Sequence, residues 1–505
     1  MLRLQHNYGI IFIEKMQVVG EKMKKRIIAG LLLTNFIAMN TTPALAFIHL
    51  GVQKDNIDTQ PKTEKVKAEK IKIKKDKKVR WTKLKISNKY DFINLPWWED
   101  LGDECLNEYI QKAVEHNHSA KIASLTVDEY YQNVKSQMAN ELPTINGGFI
   151  PGIGGNNHNS NGSMIFPVFV NYELDLFLKN HDKTKSVKKL YEASIQDERA
   201  TYISIVSAVG TTYYNVVMLD KLIETQKRIV SLRQEIYNAM ALSNKEGITS
   251  TSDVVKANKA LVSGQADLID LEKTRIKALN QLAVLIGESP ANSLTLKRAK
   301  YNNVIYKYNA PNEISSEIVT QRPDYIKAEI MLEKSGIDVR VAKKEFLPSL
   351  NIGGMALFNA KSAAGLMPDF LWGVGGGVIE TFFAGGAKIA NLKLNKVKYE
   401  KMLESYKDTN LTSIQEINDA MYAYKYSNDK YKQNLINQKL ETKDFNLSKK
   451  MYEQGVISKL DLNQKHENLL SIDNLVVQNK INCIIDSIGY YKATGAGVNN
   501  TQRLK

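Results

Sequence analysis

Two long stretches of the chain carry apolar side chains at heptad spacing. Residues 179–245 contain no proline and one glycine, and an apolar residue recurs there at every seventh position. These positions are Val209, Val216, Ile223, Val230 and Tyr237. A sustained seven-residue apolar repeat indicates a helix in coiled-coil packing. At 1.5 Å per residue such a helix is about 100 Å long, and it is stable only when it packs on partners along its length.

The same pattern returns 208 residues later, so the chain is internally duplicated. The heptad positions become Ile417, Tyr424, Tyr431, Gln438 and Phe445, with glutamine as the one polar exception. Four further pairs match at this offset: Tyr214 and Tyr422, Gly247 and Gly455, Asp253 and Asp461, Gly287 and Gly495. Upstream, Leu142-Pro143 matches Leu347-Pro348 at an offset of 205. A unit of this length is far longer than a solenoid repeat.

Each unit predicts the same order of elements. A helical segment (101–140 or 312–345) ends before Pro143 or Pro348, as helices do near a proline. Two strand-like segments follow and predict β-hairpins over residues 144–177 and 349–383, with turn-rich segments between the strands. The long helices are then predicted over 179–245 and 387–453.

A tight turn and a returning helix complete each unit. Gly247 and Gly455 supply the left-handed residue that ends a long helix. Ser252-Asp253 and Asp461 are predicted to start the return helices, over 253–286 and 461–491. The units therefore span residues 91–307 and 308–497, before a short C-terminal tail over 498–505.

The N-terminal region is predicted to contain a secretory signal peptide over residues 23–46, which we call the leader. Residues 23–46 combine a basic run, an apolar run too short to span a bilayer, and small residues before a cleavage point at Ala46. Residues 1–22 then form an upstream extension; the alternative is an N-terminal anchor helix. Residues 47–90 form a basic tail, since 54–85 holds 13 Lys/Arg and 5 Asp/Glu of a chain with net charge +15. A solvated tail is the first interpretation; nucleic-acid binding and attraction to anionic lipid are the others.

The remaining composition narrows the function classes. Beyond the leader no apolar stretch of about 18 residues is evident, so a membrane span would have to be a closed barrel of strands. Cys105 and Cys483 are too few for a disulfide scaffold, and the chain leaves open whether they pair or are two buried small side chains. The scattered histidines and the absence of a phosphate-binding loop predict no metal site, no cofactor, no catalytic residues and no enzyme.

Several motifs in this order resemble the outer-membrane efflux factor family, the TolC family. They are Trp97-Trp98 near the start, Arg322-Pro323-Asp324, Thr381-Phe-Phe-Ala-Gly385-Gly386 and the two glycine-centred turns. The double tryptophan is most similar to the resistance-nodulation-division branch, which exports drugs and metals. The resemblance implies a mainly α protomer with a β-barrel: a homotrimer whose 12-stranded outer-membrane barrel, four strands per protomer, is continuous with a long periplasmic α-helical barrel. Four strands alone cannot close a barrel, and open edges are not tolerated in lipid.

The resemblance also implies two sets of functional residues at the turns, which we call the tips. A periplasmic membrane-fusion adaptor would dock on Glu246, Gly247 and Ile248 and on Gln454, Gly455 and Val456. The alternative is that both glycines only end helices.

A periplasmic gate is implied next to the tips. In the family a tyrosine matching Tyr452 bonds a residue matching Asp253, while Ser252 lies beside it and carboxylates matching Asp461 ring the mouth. This chain departs from the family twice: Ile457 replaces an arginine, and Gln464 replaces a second aspartate. A weaker latch and a weaker cation preference follow. Simple N-capping by Asp461 and coiled-coil packing of Tyr452 are the alternatives.

The function implied is a passive exit duct that carries small toxic compounds from the periplasm to the exterior. Its partners would be an adaptor, an inner-membrane pump of the resistance-nodulation-division or ABC type, and outer-membrane lipid, with no role for nucleic acid. One alternative is an exit duct for type I protein secretion. Another, of a different class, is a periplasmic coiled-coil structural protein without a pore.

Overall fold

The computed structural model describes residues 97–155, 160–308, 316–360, 369–379 and 385–495. The predicted leader, basic tail and C-terminal tail lie outside these residues, as do residues 380–384 at the end of the second predicted hairpin.

The described residues form two units of helix, hairpin, long helix and return helix. The first contains α1 (Glu104–His116), α2 (His118–Ala139), β1 (Thr144–Gly147), β2 (Ile150–Gly155), β3 (Ser160–Leu174), α3 (Lys179–Lys245) and α4 (Thr251–Leu285). The second contains α5 (Pro323–Lys344), β4 (Ser349–Ala360), β5 (Asp369–Ile379), α6 (Ala387–Glu453) and α7 (Lys459–Ala493).

The element bounds confirm the duplication. The long helices α3 and α6 have 67 residues each, the return helices α4 and α7 have 35 each, and all four bounds shift by the predicted 208 positions. The helices before the hairpins, α2 and α5, have 22 residues each and shift by 205. The two halves therefore share one backbone plan.

The predicted helical segments before the hairpins are each divided. Residues 101–140 were expected to form one helix, but Asn117 ends α1 and starts α2 because its backbone is extended and its side chain accepts hydrogen bonds from the Ser119 and Ala120 N–H groups. In the second unit a short 3₁₀ helix (Ser316–Gln321) precedes α5, and Pro323 occupies the first turn of α5. A proline is tolerated there because that N–H has no partner within the helix.

The strands form one antiparallel sheet in the order β1/β2, β3, β4, β5. β1 and β2 both pair with β3 in one continuous register, so they are two halves of a single strand. The gap between them faces Pro167, whose carbonyl accepts from the Gly148 N–H but which has no N–H to return. The protomer therefore contributes four strands, with free edges at β1/β2 and β5.

The helices form a row with the same two edges. Next to the sheet the order of contact is α2, α3, α5, α6; towards the tips it is α4, α3, α7, α6. The helix α3 is inside both rows, and 24 of its 67 residues are buried. The helix α6 lies at one edge throughout, and only five of its 67 residues are buried. The other edge consists of α2 and α4.

The main apolar core lies midway along α3. It joins α1, α3, α4 and α7 around Val209, Val216, Tyr213 and both tryptophans of the opening motif. Trp97 stacks on Tyr491 at 5.4 Å between ring centroids. The Tyr213 hydroxyl donates to the Asp103 carboxylate and accepts from the Ala299 N–H, so this buried polar group is satisfied.

The motif Arg322-Pro323-Asp324 also has a structural role. The buried Arg322 guanidinium binds Asp324 through two hydrogen bonds of 2.9 and 2.6 Å. It also donates to Glu416 on α6 and to the Ala493 carbonyl at the end of α7. Arg322 therefore joins three elements of the second unit.

One expectation from composition, on apolar stretches, is wrong, and one open question, on the two cysteines, is answered. One stretch of α3 is apolar and long enough to cross a membrane, contrary to the expectation that no such stretch follows the leader. It is 61% buried inside the protein, as in a core helix. Cys105 and Cys483 are both free thiols, and Cys483 is buried, so they do not pair.

Gly287 follows the return helix α4, and Gly247 lies at the first tip. Together they allow a matched test of local packing. Both have left-handed backbones, with φ of 76° and 72°, so alanine strains either by about 1 kcal/mol. A Cβ at position 287 would also lie 2.7 Å from His116, whereas a Cβ at 247 meets nothing within 4 Å. We expect Gly287→Ala to lower the free energy of unfolding by about 1–3 kcal/mol more than Gly247→Ala does. A lower melting temperature would show this difference. Equal losses in Gly287→Ala and Gly247→Ala would contradict this packing.

Candidate functional site

The two tips have the same backbone geometry. In the first, the Gly247 N–H donates to the Asn244 carbonyl and the Ile248 N–H to the Ser243 carbonyl, at 3.0 and 2.9 Å. The second repeats this pattern 208 residues later, at 2.9 and 2.8 Å. Gly247 and Gly455 have φ of 72° and 74°, the left-handed conformation that glycine adopts at least cost. Both long helices therefore end in the same reversal.

The return helices begin earlier than predicted because a serine caps each one. The Ser458 hydroxyl accepts from the Asp461 N–H, while the Asp461 carboxylate accepts from the Ser458 N–H and hydroxyl. This reciprocal arrangement is a capping box. Ser250 and Asp253 make the equivalent side-chain contacts at the first tip. Asp253 and Asp461 are thus third-position partners of a serine cap, and Ser252 lies exposed in the first turn of α4.

These bonds set the protonation of the two carboxyls. The pKa of Asp461 lies below its ordinary value because the carboxylate accepts from the Ser458 hydroxyl and then from its backbone N–H. The pKa of Asp253 is also lowered, first by the Ser250 hydroxyl and then by Lys256. Both carboxyls are therefore ionised at neutral pH.

The tip side chains project into solvent. Ile248 is 76% exposed and Val456 is 63% exposed, and Glu246, Gln454 and both glycines are exposed as well. No atom lies within 4 Å of a Cβ placed on either glycine. Each tip thus presents an apolar side chain beside bare backbone, a surface that another helical hairpin can approach closely.

The implied bond between Tyr452 and Asp253 is not formed within the protomer. Asp253 bonds Ser250 and Lys256, while the Lys459 ammonium lies 5.6 Å from the ring of Tyr452. Each residue thus contacts its own tip. Gln464 donates to Asn468 on its own helix. It does share a groove with Asp253, so the structure brings these two gate candidates to one surface.

That groove lies between α3, α4 and α7, just inside the tips. Its volume is about 270 Å³ and its charged residues are Arg233, Asp253, Lys256 and Glu467. Arg233 of α3 binds Glu467 of α7 with its Nε and Nη2 atoms, at 3.0 and 2.5 Å. Sequence reasoning did not single out this pair, because nothing local relates two residues 234 positions apart.

The two edges of the helix row carry exposed apolar stripes. On α4 the stripe follows a heptad spacing through Val255, Val262, Ile269 and Ile276. On α6 it includes Leu411, Tyr422, Tyr426, Ile436, Leu440 and Leu447. The regular spacing on α4 is visible in the sequence, but exposure distinguishes such a stripe from a core face only once the fold is known.

The two faces of the sheet differ in chemistry. In the register of the strands, Phe166 pairs with Phe358 and Phe358 with Phe370, and Phe149 lies against Phe166 at 5.1 Å. This Phe row crosses all four strands on one face. Between the row and the helices that face also carries Tyr172 and Trp372 and is otherwise apolar or glycine. Near the helices the opposite face carries Thr144, Asn146, Asn171, Glu173 and Asn351. An apolar outer face and a polar inner face are typical of membrane strands.

Among the described residues, no group of three or more His, Cys, Asp or Glu side chains could hold a metal ion. An open groove of about 750 Å³ lies where the strands meet α2 and α3.

Comparisons with known proteins agree with this architecture. The family profile described as "Outer membrane efflux protein" matches residues 109–288 and 314–496, once in each unit. The toluene efflux pump outer membrane protein TtgC of Pseudomonas putida is 24% identical over 420 residues, which are 79% of this chain and 85% of that protein. The cation efflux system protein CusC of Escherichia coli O157:H7 is 22% identical over 427 residues, 81% of this chain and 89% of that protein.

Solved structures share the fold. The crystal structure of the Campylobacter jejuni CmeC outer membrane channel superposes with a TM-score of 0.73 at 22% sequence identity. The match covers 81% of this chain and 90% of that one. The open-state structure of the Neisseria gonorrhoeae MtrE outer membrane channel has a TM-score of 0.69 at 22% identity, over 78% of this chain and 90% of that one.

The capping box predicts how the second tip responds to pH. A carboxyl whose pKa is lowered by folding stabilises the fold fully above its unfolded pKa of about 3.9, and that contribution is lost as the pH falls through the lowered folded value. In Asp461→Asn we expect faster amide hydrogen exchange in the first turn of α7 at pH 7. After correction for intrinsic exchange, the difference from wild type should vanish below the lowered pKa. A difference that persists unchanged to the lowest pH would contradict the capping role, and Asp253→Asn should behave alike at the first tip.

Proposed function

The chain belongs to the outer membrane efflux protein family and is an efflux channel of the outer membrane that extends into the periplasm; we propose that three copies form the exit duct of a tripartite exporter for small toxic compounds. The duct is passive and catalyses no reaction. Energy comes from an inner-membrane pump, of the resistance-nodulation-division or ABC type, joined through a periplasmic adaptor.

The single observation that carries the homotrimer is that sheet and helices have matching open edges. In lipid, each unpaired backbone N–H or C=O group at a strand edge costs several kcal/mol. β5 of one copy can pair with β1/β2 of the next, and α6 then covers α2 and α4 of the same neighbour. Three protomers of four strands give the 12 strands that the family resemblance implies.

The exposed apolar stripes on α4 and α6 lie at matching distances from the tips, which supports this arrangement. Val255 and Leu447 each lie eight residues from the glycine of their tip, and Val262 and Leu440 each lie 15 residues away. Ile276 and Tyr426 match again at 29 residues. The two tips are at nearly equal height, since the bonded Arg233 and Glu467 lie 14 and 12 residues from them. The stripes of adjacent copies thus meet as apolar pairs, which is how coiled coils join.

The sheet faces give the orientation in the membrane. The apolar face with the Phe row extends eight positions along β3 from Leu174 to Phe166, which is about 26 Å along the strand. At a tilt of about 40° this is about 20 Å of height, most of the apolar band of about 25 Å on outer-membrane barrels. It faces lipid. The face with Asn171 and Glu173 lines the water-filled lumen.

The tips are the adaptor site in this proposal. Glu246, Gly247 and Ile248 at the first tip and Gln454, Gly455 and Val456 at the second are the farthest points from the sheet and are exposed. Asp461 contributes one carboxylate per copy to the mouth, and Gln464 adds none. We therefore expect only a weak preference for cations.

Small compounds are favoured as the cargo by the relatives. TtgC is named as part of a toluene efflux pump and CusC as part of a cation efflux system. Deleting the gene and measuring sensitivity to drugs, dyes, detergents and metals tests this cargo class. Unchanged sensitivity together with loss of a secreted protein would favour type I secretion instead.

The interface between copies is tested by Val262→Lys, which places a charge within the α4 stripe. We expect the trimer to dissociate to monomers at a lower temperature in detergent, because an apolar contact is replaced by a buried charge. Adding Leu440→Glu should restore part of the loss, since the two positions lie at the same level on facing helices.

Ser263→Lys is the matched control, because Ser263 is exposed and lies next to the stripe. It should leave the dissociation temperature unchanged. The α4–α6 interface would be refuted by a Val262→Lys trimer as heat-stable as the wild type.

Adaptor docking is tested by Gly455→Trp. An indole there occupies open space in the protomer but blocks close approach of a partner, so we expect resistance to exported compounds to fall while trimers still form. Gly455→Asn is the control, since asparagine tolerates the left-handed backbone and remains small. Wild-type resistance in Gly455→Trp would argue that the glycine only ends the helix.

A further inference from the structure

Arg233 lies where the two helical hairpins of a protomer meet. The first hairpin consists of α3 and α4, the second of α6 and α7. The Arg233 Nε and Nη2 atoms bind one oxygen of Glu467 on α7. The pair is largely buried, with 21% of the Arg233 side chain and 15% of the Glu467 side chain exposed.

Arg233 also contacts a third helix. Its Nη1 atom donates to the Ala260 carbonyl on α4 at 2.8 Å. One turn further along α4, a Cβ on the buried Gly264 would lie 2.9 Å from that Nη1 and 3.3 Å from the arginine Cδ. The glycine thus leaves the space that the guanidinium occupies, and one side chain joins α3, α4 and α7.

The pair lies at the boundary between two differently packed regions of the hairpins. On the side of the sheet it borders a small apolar cluster of Ile229, Leu232 and Leu470 between α3 and α7. On the side of the tips the helices enclose the 270 Å³ groove, which Arg233 and Glu467 also line. The pair is therefore where tight packing between the hairpins gives way to open space, about 20 Å from the tips at 1.5 Å per residue.

Ion pairs elsewhere in this region stay within one hairpin. Lys465 binds Asp444 between α7 and α6, and Lys227 binds Glu272 between α3 and α4. The residues that the family resemblance assigns to a latch, Tyr452 and Asp253, contact their own tips. Separating the two hairpins breaks none of these contacts, but it does break the bond from Arg233 to Glu467.

We propose that the Arg233–Glu467 pair is the latch that holds the second hairpin against the first and thereby limits the opening of the periplasmic mouth. This inference rests on the proposed duct. Removing either partner leaves the other charge largely buried and unpaired, which favours the state in which the hairpins are apart and water reaches that charge.

The test is single-channel recording of purified full-length trimers in planar bilayers. We expect Arg233→Gln and Glu467→Gln each to raise the fraction of time in the high-conductance state about tenfold, within the usual range for a coupling of this kind. The double variant should open less often than either single variant, because it leaves no buried unpaired charge, and this non-additivity is the coupling that a double-mutant cycle measures. Amide exchange in α3 and α7 around the pair should accelerate in parallel.

Lys465→Gln is the matched control. It removes an ion pair two positions from Glu467 but within a single hairpin, so conductance should stay at the wild-type level. The latch is overturned when Arg233→Gln or Glu467→Gln forms trimers with wild-type conductance, or when Lys465→Gln opens the channel equally. The two single variants are independent routes to the same broken bond, so one that fails to fold leaves the other decisive. Failure of the wild type itself to form trimers or channels would refute the duct, a different result.

Discussion

A backbone hydrogen bond cannot be left unmade in lipid, and this constraint organises the molecule. The four-stranded sheet has two free edges, and the helix row has free edges on the same two sides. Neither part is complete in one copy. In the proposed duct the apolar face with its Phe row meets lipid, and the face with Asn171 and Glu173 meets water. The buried core around Tyr213 and Trp97 lies midway along α3, between the sheet and the tips.

The two duplicated halves share one backbone plan, but their long helices lie at different places in the helix row. The helices α3 and α6 have equal length and equivalent ends. Because α3 is interior and α6 is at an edge, 24 residues of α3 are buried inside the protomer, whereas only five of α6 are, and the apolar stripe of α6 is exposed. The same divergence is seen at the heptad positions, where Val209 and Val216 are fully buried while Gln438 is tolerated in the second half.

Periodicity predicted the elements well because long helices and glycine turns are local features. The long helices and the offsets of 208 and 205 were visible in the chain, and the structure has them at those positions. The break at Asn117 and the serine caps were missed because a single polar side chain decides a helix end. The Arg233–Glu467 pair and the absence of a Tyr452–Asp253 bond depend on tertiary neighbours, which heptad spacing does not specify.

The Phe row has a consequence for the distance between the two membranes of the cell envelope. In the proposed duct the apolar face that carries Phe149, Phe166, Phe358 and Phe370 holds the sheet in the outer membrane, and helices of 67 residues then set how far the tips reach. The protein would thus set the distance from the lipid surface to the tips. Adding one heptad to every helix of both hairpins would lower the tips by about 10 Å, so an inner-membrane assembly matched to the present length would have to shorten by the same amount.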